Sequence, residues 1–271
     1  MKYMLITNDP VLAQYAEQCG VGRVFVDLEH IGKSERQGHL DTVMSNHSLS
    51  DIFNVKQALC NAELLVRVNP LYEGTLREVD EAIASGADLL MLPMFKNHED
   101  LQAFSELVDT RVPIIPLVET GSALQDIGNI VQVNGVHEIY IGLNDLHLDM
   151  GLRFIFEPLA NGLIDTAAKV ITSAGLHFGF GGIARVGEGV IPGEMILGEH
   201  VRLGSSSVIL SRTFHRKSEG IAEFQANLDL KEEIQKLEDA EERFRQRSPI
   251  EAQANFQQFQ SAVTNYIASN V

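Results

Sequence analysis

A (β/α)₈ TIM barrel with additional C-terminal helices is the fold this sequence predicts, on three observations. Short apolar runs rich in β-branched residues alternate with amphipathic stretches of helical period. About eight such runs are present, the number at which a parallel barrel closes. Glycines recur between a helical stretch and the next run, at Gly20, Gly86, Gly135, Gly175 and Gly204, where a left-handed helix end is expected. The competing arrangement is an open doubly wound sheet.

In order, strands are predicted over 3–7, 23–28, 63–68, 87–93, 112–119, 138–142, 176–181 and 206–211, because a strand buried on both faces reads as a continuous apolar run. Helices are predicted over 11–19, 49–60, 74–85, 97–108 and 122–133. Two regions break the rhythm. Residues 31–48, IGKSERQGHLDTVMSNHS, form a long polar connection after the second strand, a length more often functional than merely connecting. After Phe214 the chain carries Phe224, Leu228, Ile234, Leu237 and Phe244, then Phe256, Phe259, Val263, Tyr266 and Ile267, each set at helical spacing. Pro249 falls in the first turn of the second helix. The expected division is a barrel over 1–217 and a helical extension over 218–271 that packs on its own barrel or on a neighbouring subunit, so a homo-oligomer is expected.

Composition narrows the function. Hydrophobic content of 45% and charged content of 21% are those of an ordinary globular chain. A net charge of −16 argues against nucleic-acid and anionic-membrane surfaces. Cys19 and Cys60, both in apolar helical contexts, suggest reduced core thiols and neither a disulfide framework nor a zinc site. No apolar run reaches membrane-span length, and residues 1–10 lack a secretion-signal pattern, so a cytoplasmic protein is expected.

In a barrel, ligands sit at the carboxyl ends of the strands. The second strand ends in VDLEH, giving Asp27, Glu29 and His30; the third in VRVNP, giving Arg67 and Asn69; the fifth in LVET, giving Glu119. The sixth, in EIYIGLNDLHLDMGL, breaks at Gly142 into a turn with Asn144, Asp145 and His147. Neighbouring strands lie roughly 4.8 Å apart, so Glu119 and Asp145 can converge on one ion. Two carboxylates with room for water and a chelating substrate suit Mg²⁺ or Mn²⁺ better than zinc. Asp27 and Glu29 are read as facing opposite sides of their strand, so that Asp27 alone serves the site. His147 is read as supporting the ligands from behind or as a helix-start residue rather than as a ligand itself, and residues 179–189, GFGGIARVGEG, as the seventh strand-end loop rather than a phosphate loop. Ser211 and Arg212 follow the eighth strand, where they frame the carboxylate end of a substrate. Arg36 and Gln37, with His39, could form a substrate-binding lid in the long connection; a solvated loop is the alternative.

The order of VDLEH, the Arg67 strand, GADLLMLPM, PLVET and IGLNDLHLDMG resembles the HpcH/HpaI aldolase and citrate lyase β-subunit family over about residues 3–214. The resemblance implies a metal-dependent lyase that makes or breaks a carbon–carbon bond beside a 2-oxo acid such as pyruvate, or beside an acyl thioester. It implies Glu119 and Asp145 as metal ligands, Arg67 facing the developing oxyanion, and His30 with Asp27 as its orienter in the acid/base position. It also implies that backbone amides around Asn144 and Asp145 meet the substrate carboxylate. Physically, a Lewis acid and a fixed guanidinium would stabilise an enolate, and an imidazole titrates near neutrality. No lysine stands at a predicted strand end, which argues against an imine route.

Three departures from the aldolase pattern stand out. The connection before the fifth strand, 109–112, is nearly direct, as on the citrate lyase side. The carboxylate expected near the end of the third helix is missing around Ala84, and Leu117 replaces a glutamine. The leading expectation is a 2-oxo-acid aldolase with pyruvate and an aldehyde as substrates. A malyl, citramalyl or citryl thioester lyase is the second, and a catalytically idle barrel with an assembly or regulatory role is the third.

Overall fold

The computed structural model describes residues 1–32, 46–214 and 220–270. Eight parallel strands close in sequence order, β1 (Lys2–Ile6), β2 (Arg23–Asp27), β3 (Glu63–Arg67), β4 (Leu89–Leu92), β5 (Ile114–Val118), β6 (Glu138–Ile141), β7 (His177–Ile183) and β8 (Ser207–Leu210), with β8 pairing back to β1. All carboxyl ends therefore share one rim, as a (β/α)₈ barrel requires. On the outside lie α1 (Pro10–Gln18), α2 (Leu49–Ala58), α3 (Thr75–Ala84) and α4 (His98–Val108). The five glycines predicted to end helices all have positive φ, between 75° and 106°. That conformation is why glycine stands there.

The predicted helix over 122–133 is instead two short ones, α5 (Gly121–Gln125) and α6 (Ile127–Ile130). The break falls at Asp126, whose carboxylate Oδ2 accepts from both the backbone N–H and the ring Nδ1 of His98, each at 2.7 Å. A tertiary contact has overridden a continuous helical pattern. Beyond β6 come α7 (Leu143–Asp149), α8 (Glu157–Ala160) and α9 (Leu163–Ser173), and between β7 and β8 lies α10 (Gly193–Leu203). Of the glycine-rich run 179–189, expected as the seventh strand-end loop, residues 184–189 follow the strand, while 179–183 belong to β7, which continues to Ile183. Gly179 is needed inside it: an added Cβ would lie 2.2 Å from Ser207 Oγ and 2.5 Å from the Tyr140 ring.

The barrel interior holds Met4, Phe25, Leu65, Met91, Ile115, Leu117 and Tyr140. Its floor is an ion pair that the sequence reading did not anticipate. Arg23, fully buried, places Nη1 and Nη2 at 3.2 and 3.0 Å from the Glu138 carboxylate and Nε at 2.9 Å from Glu63, its register partner on β3.

The first helix of the extension is split into α11 (Ile221–Asn227) and α12 (Leu230–Arg245), and α13 (Pro249–Ser269) follows, with Pro249 in its first turn. Asp229 caps α12 by accepting from Glu232 N, which fixes the break. Phe224, Leu228, Ile234 and Leu237 share one buried cluster with Tyr3, Leu5, Val21 and Val208. Phe259 and Val263 of α13 join the main core beside Phe154 and Leu159. These stripes are filled by the chain's own barrel and do not themselves call for a second subunit. Cys19 is buried, but Cys60 is exposed beyond α2 rather than in the core; both are free thiols. Among the described residues, no helix is long and apolar enough to cross a membrane.

Candidate active site

The rim site begins with the β2–β3 register. Asp27 and Arg67 are direct Cα partners, so their side chains emerge side by side at the end of the sheet. Arg67 donates from Nε and Nη2 to the two oxygens of Asp27, each at 2.8 Å, and Nη2 lies 3.3 Å from Glu29 Oε2. Both acids thus face the same way, against the expectation that only one would. Residues two apart in a strand share a face, and the chain stays extended beyond Asp27. The guanidinium also stands over the Phe25 ring, 5.5 Å from its centroid. The Asp27 carboxylate, expected to orient His30, bonds Arg67 and also accepts the Glu29 N–H at 3.1 Å. Burial opposes the Arg67 charge, but Asp27, Glu29 and Glu119 together hold its pKa above the ordinary value.

Glu119 follows β5 and is 2% exposed. Three features fix it. Thr120 caps α5 through Ala123 N and donates to Phe95 O at 3.0 Å, so the turn after Glu119 is held. Met94, beyond β4, adopts a left-handed backbone with φ 57°, and its N–H donates to Glu119 Oε1 at 3.0 Å. Gly142 leaves the third side open, since a Cβ there would lie 2.8 Å from Glu119 Oε2 and 2.9 Å from its Cβ. The glycine at which the sixth strand breaks therefore does more than end a strand.

Asp145, on the first turn of α7, is also buried. Burial pushes the Glu119 carboxyl well above its ordinary range, the charges of Asp145 and Glu29 push it further, and Arg67 and the Met94 N–H oppose them. Three carboxylates, Asp27, Glu29 and Glu119, thus act on one guanidinium, and Asp145 acts on Glu119. Among the described residues, no group of three or more His, Cys, Asp or Glu side chains is placed to hold a metal by itself. The donor set at Glu119 and Asp145 is therefore two carboxylates. It suits a hard ion that completes its shell with water and substrate oxygens, and it does not suit a zinc centre.

His30 is exposed, with Nε2 3.3 Å from the carbonyl of His47. His47, which the sequence reading left inside the polar connection, accepts the Asp27 N–H on Nδ1 at 3.0 Å. His30 is therefore not the sole imidazole at this corner of the rim. The only sequence signal for His47 was its place just before α2. His147 is buried in the last turn of α7, with Nδ1 3.2 Å from Leu143 O within its own helix.

Asn144 is half-buried beside Asp145 at the start of α7. Ser211 is tied to β7 through Ile183 O at 2.9 Å and to Thr213 Oγ1 at 3.1 Å, and Arg212 is exposed at the start of a one-turn 3₁₀ helix, Arg212–Phe214. Arg36, Gln37 and His39 lie outside the described residues. Earlier in α3, Glu78 is buried against Asn69.

A closed parallel barrel whose carboxyl rim gathers a carboxylate pair beside a buried arginine is built as an enzyme. The family model for HpcH/HpaI aldolase/citrate lyase matches residues 3–179, and the chain belongs to that family; it is a lyase. It is 26% identical over 199 residues to a hydroxypyruvate/pyruvate aldolase of Agrobacterium fabrum, a match spanning 62% of this chain and 69% of the relative. Among solved structures it is similar to an HpcH/HpaI aldolase/citrate lyase family protein from Burkholderia cenocepacia, with a TM-score of 0.63, 17% identity, and 83% and 93% of the two chains covered. It is also similar to a citrate lyase β subunit from Mycobacterium tuberculosis complexed with oxaloacetate and magnesium, with a TM-score of 0.60, 14% identity, and 88% and 96% covered. Both likenesses concern the fold.

Proposed function

We propose that the chain is a divalent-metal-dependent lyase that cleaves or forms the bond next to a 2-oxo acid through a pyruvate enolate. The observation that carries this reading is the pair of buried carboxylates, Glu119 and Asp145, beside a guanidinium already fixed by Asp27 and Glu29. Glu119 and Asp145 would hold Mg²⁺ or Mn²⁺, which when bound supplies a Lewis acid for the keto oxygen.

The chain's own residues do the rest. Asp27 and Glu29 engage Nε and Nη2 of Arg67, and the guanidinium they hold is the donor to the oxyanion. Because the guanidinium is held in place before substrate arrives, no reorganisation is needed as charge develops. In this reading His30 receives the proton of the aldol hydroxyl during cleavage and returns it in the reverse direction. Asn144 and the amides beside it, with Ser211 and Arg212, frame the substrate carboxylate.

The test is exchange of the methyl protons of pyruvate in deuterated buffer. Native protein with Mg²⁺ or Mn²⁺ exchanges them, chelation stops the exchange, and Glu119→Ala abolishes it. Neither exchange nor metal binding by the native protein would defeat the reading.

A second reading, a citrate-lyase-like enzyme for a malyl, citramalyl or citryl thioester, is favoured by the short connection of residues 109–113 between α4 and β5. Cleavage of the acyl thioester but not of free 2-oxo acids would select it.

A further inference from the structure

Beside Arg67 the rim carries a second polar arrangement that the proposed chemistry does not use. Asn69, two residues beyond β3, is nearly buried, and its amide oxygen accepts the backbone N–H groups of His30 at 2.9 Å and Ile31 at 3.0 Å. Its Nδ2 donates to Glu78 Oε1 at 2.7 Å, and its own N–H points at both Glu78 oxygens, at 3.2 and 3.3 Å. Glu78 is on α3 and is only 6% exposed. A buried carboxylate is costly unless its bonds are made, and these bonds go to the residue that holds the backbone N–H groups of His30 and Ile31. Three elements therefore meet in a relay: helix α3 fixes Asn69, and Asn69 fixes the backbone that carries His30.

We propose that Asn69 and Glu78 are positioning residues for His30, locking the backbone beyond β2 so that the imidazole is presented to substrate on Arg67. The proposal rests on the acid/base role given to His30 above. It predicts behaviour that a merely structural role does not. Neither residue is bonded to Arg67, Glu119 or Asp145, so binding of the 2-oxo acid is spared while turnover falls. The effect also runs through His30 and disappears when His30 is gone.

The experiment measures kcat and KM for pyruvate proton exchange or aldol cleavage in the Mg²⁺-loaded enzyme, together with amide hydrogen exchange at His30 and Ile31. Asn69→Ala is expected to lower kcat by roughly 10- to 100-fold with KM changed less than about threefold. It is also expected to speed amide exchange at both positions by about tenfold or more. In a His30→Ala background the same substitution leaves kcat unchanged, which closes a double-mutant cycle. Asn69→Asp alone sets two carboxylates face to face and impairs the enzyme. Combining it with Glu78→Gln restores a donor opposite the new carboxylate, and turnover recovers.

If Asn69→Ala does not fold, Glu78→Gln supplies the same comparison in weaker form. An unchanged kcat in Asn69→Ala, or an equal loss with and without His30, overturns the proposal. Native protein inert on 2-oxo acids and thioesters overturns the lyase mechanism instead, and with it this role, and so the two failures are distinguishable.

Discussion

Gly142 and Glu119 share a space that admits only one of them beyond the backbone: a Cβ on residue 142 would stand 2.8 Å from Glu119 Oε2. Backbone of β6 and side chain of β5 thus fit together by the absence of an atom, and Met94 pins the other carboxylate oxygen. Gly142→Ala is expected to push Glu119 out of line. Mg²⁺ or Mn²⁺ affinity should fall by roughly 10- to 100-fold, as when the support of a metal ligand is removed. Titration calorimetry with either ion measures it, and unchanged affinity would show that Glu119 is not held where the metal binds.

The two acids that flank Arg67 should not be equivalent. Toward Arg67, Asp27 accepts two bonds of 2.8 Å, whereas Glu29 Oε2 comes within 3.3 Å. Asp27→Asn breaks a largely buried pair and should cost about 3 kcal/mol in denaturant unfolding. Glu29→Gln should cost about 1 kcal/mol, nearer the value of a single charge-assisted bond. Equal losses would mean that the guanidinium is held by charge alone and not by the fork geometry.

His200, on α10, gives the fold an acid sensitivity that is independent of the rim. Its ring stacks on Phe180 at 3.7 Å and bonds to Ser205 Oγ at 2.8 Å, and burial, aided by the positive amino terminus, pushes its pKa down to about 3 from 6.5. The unfolded chain binds the proton in the window between those values, and the folded chain does not. This contribution is complete above about pH 6.5 and drains as pH falls towards 3, at a limiting slope of about 1.4 kcal/mol per unit. Urea unfolding at pH 7 and pH 5 should show a loss of roughly 2 kcal/mol that is absent in His200→Gln. A variant with the native slope would place the sensitivity elsewhere.

Leu237 of α12 is fully buried in the cluster that includes Tyr3 and Leu5. Leu237→Ala leaves a cavity and is expected to cost about 2–5 kcal/mol, in one cooperative transition. A separate early transition would indicate that the extension unfolds on its own.

The barrel was legible because strands buried on both faces read as uninterrupted apolar runs, and because Gly20, Gly86, Gly135, Gly175 and Gly204 mark helix ends that need positive φ. The rim acids and Arg67 were legible because charge at the end of an apolar run has no place in a core. What was not legible depends on contacts between elements. The break at Asp126 is set by His98 from another helix. Asp27 serves Arg67 because of a strand register that no single run encodes. His47 and Met94 become visible only when the chain brings their imidazole and N–H to Asp27 and Glu119. Arg23 looked like a strand-start charge, and only closure of the barrel shows it sealed against Glu138.

The packing of α12 on β1 also sets a timetable. Tyr3, Leu5 and Val21 find their cover in residues 224–237, and β1 finds its second neighbour in β8. Until β8 and residues 224–237 have formed, β1 is paired on one side only and carries an open strand edge beside bare apolar surface. The seam that joins first strand to last therefore makes closure of the barrel and docking of the extension one event, and a chain cut short before α12 should aggregate.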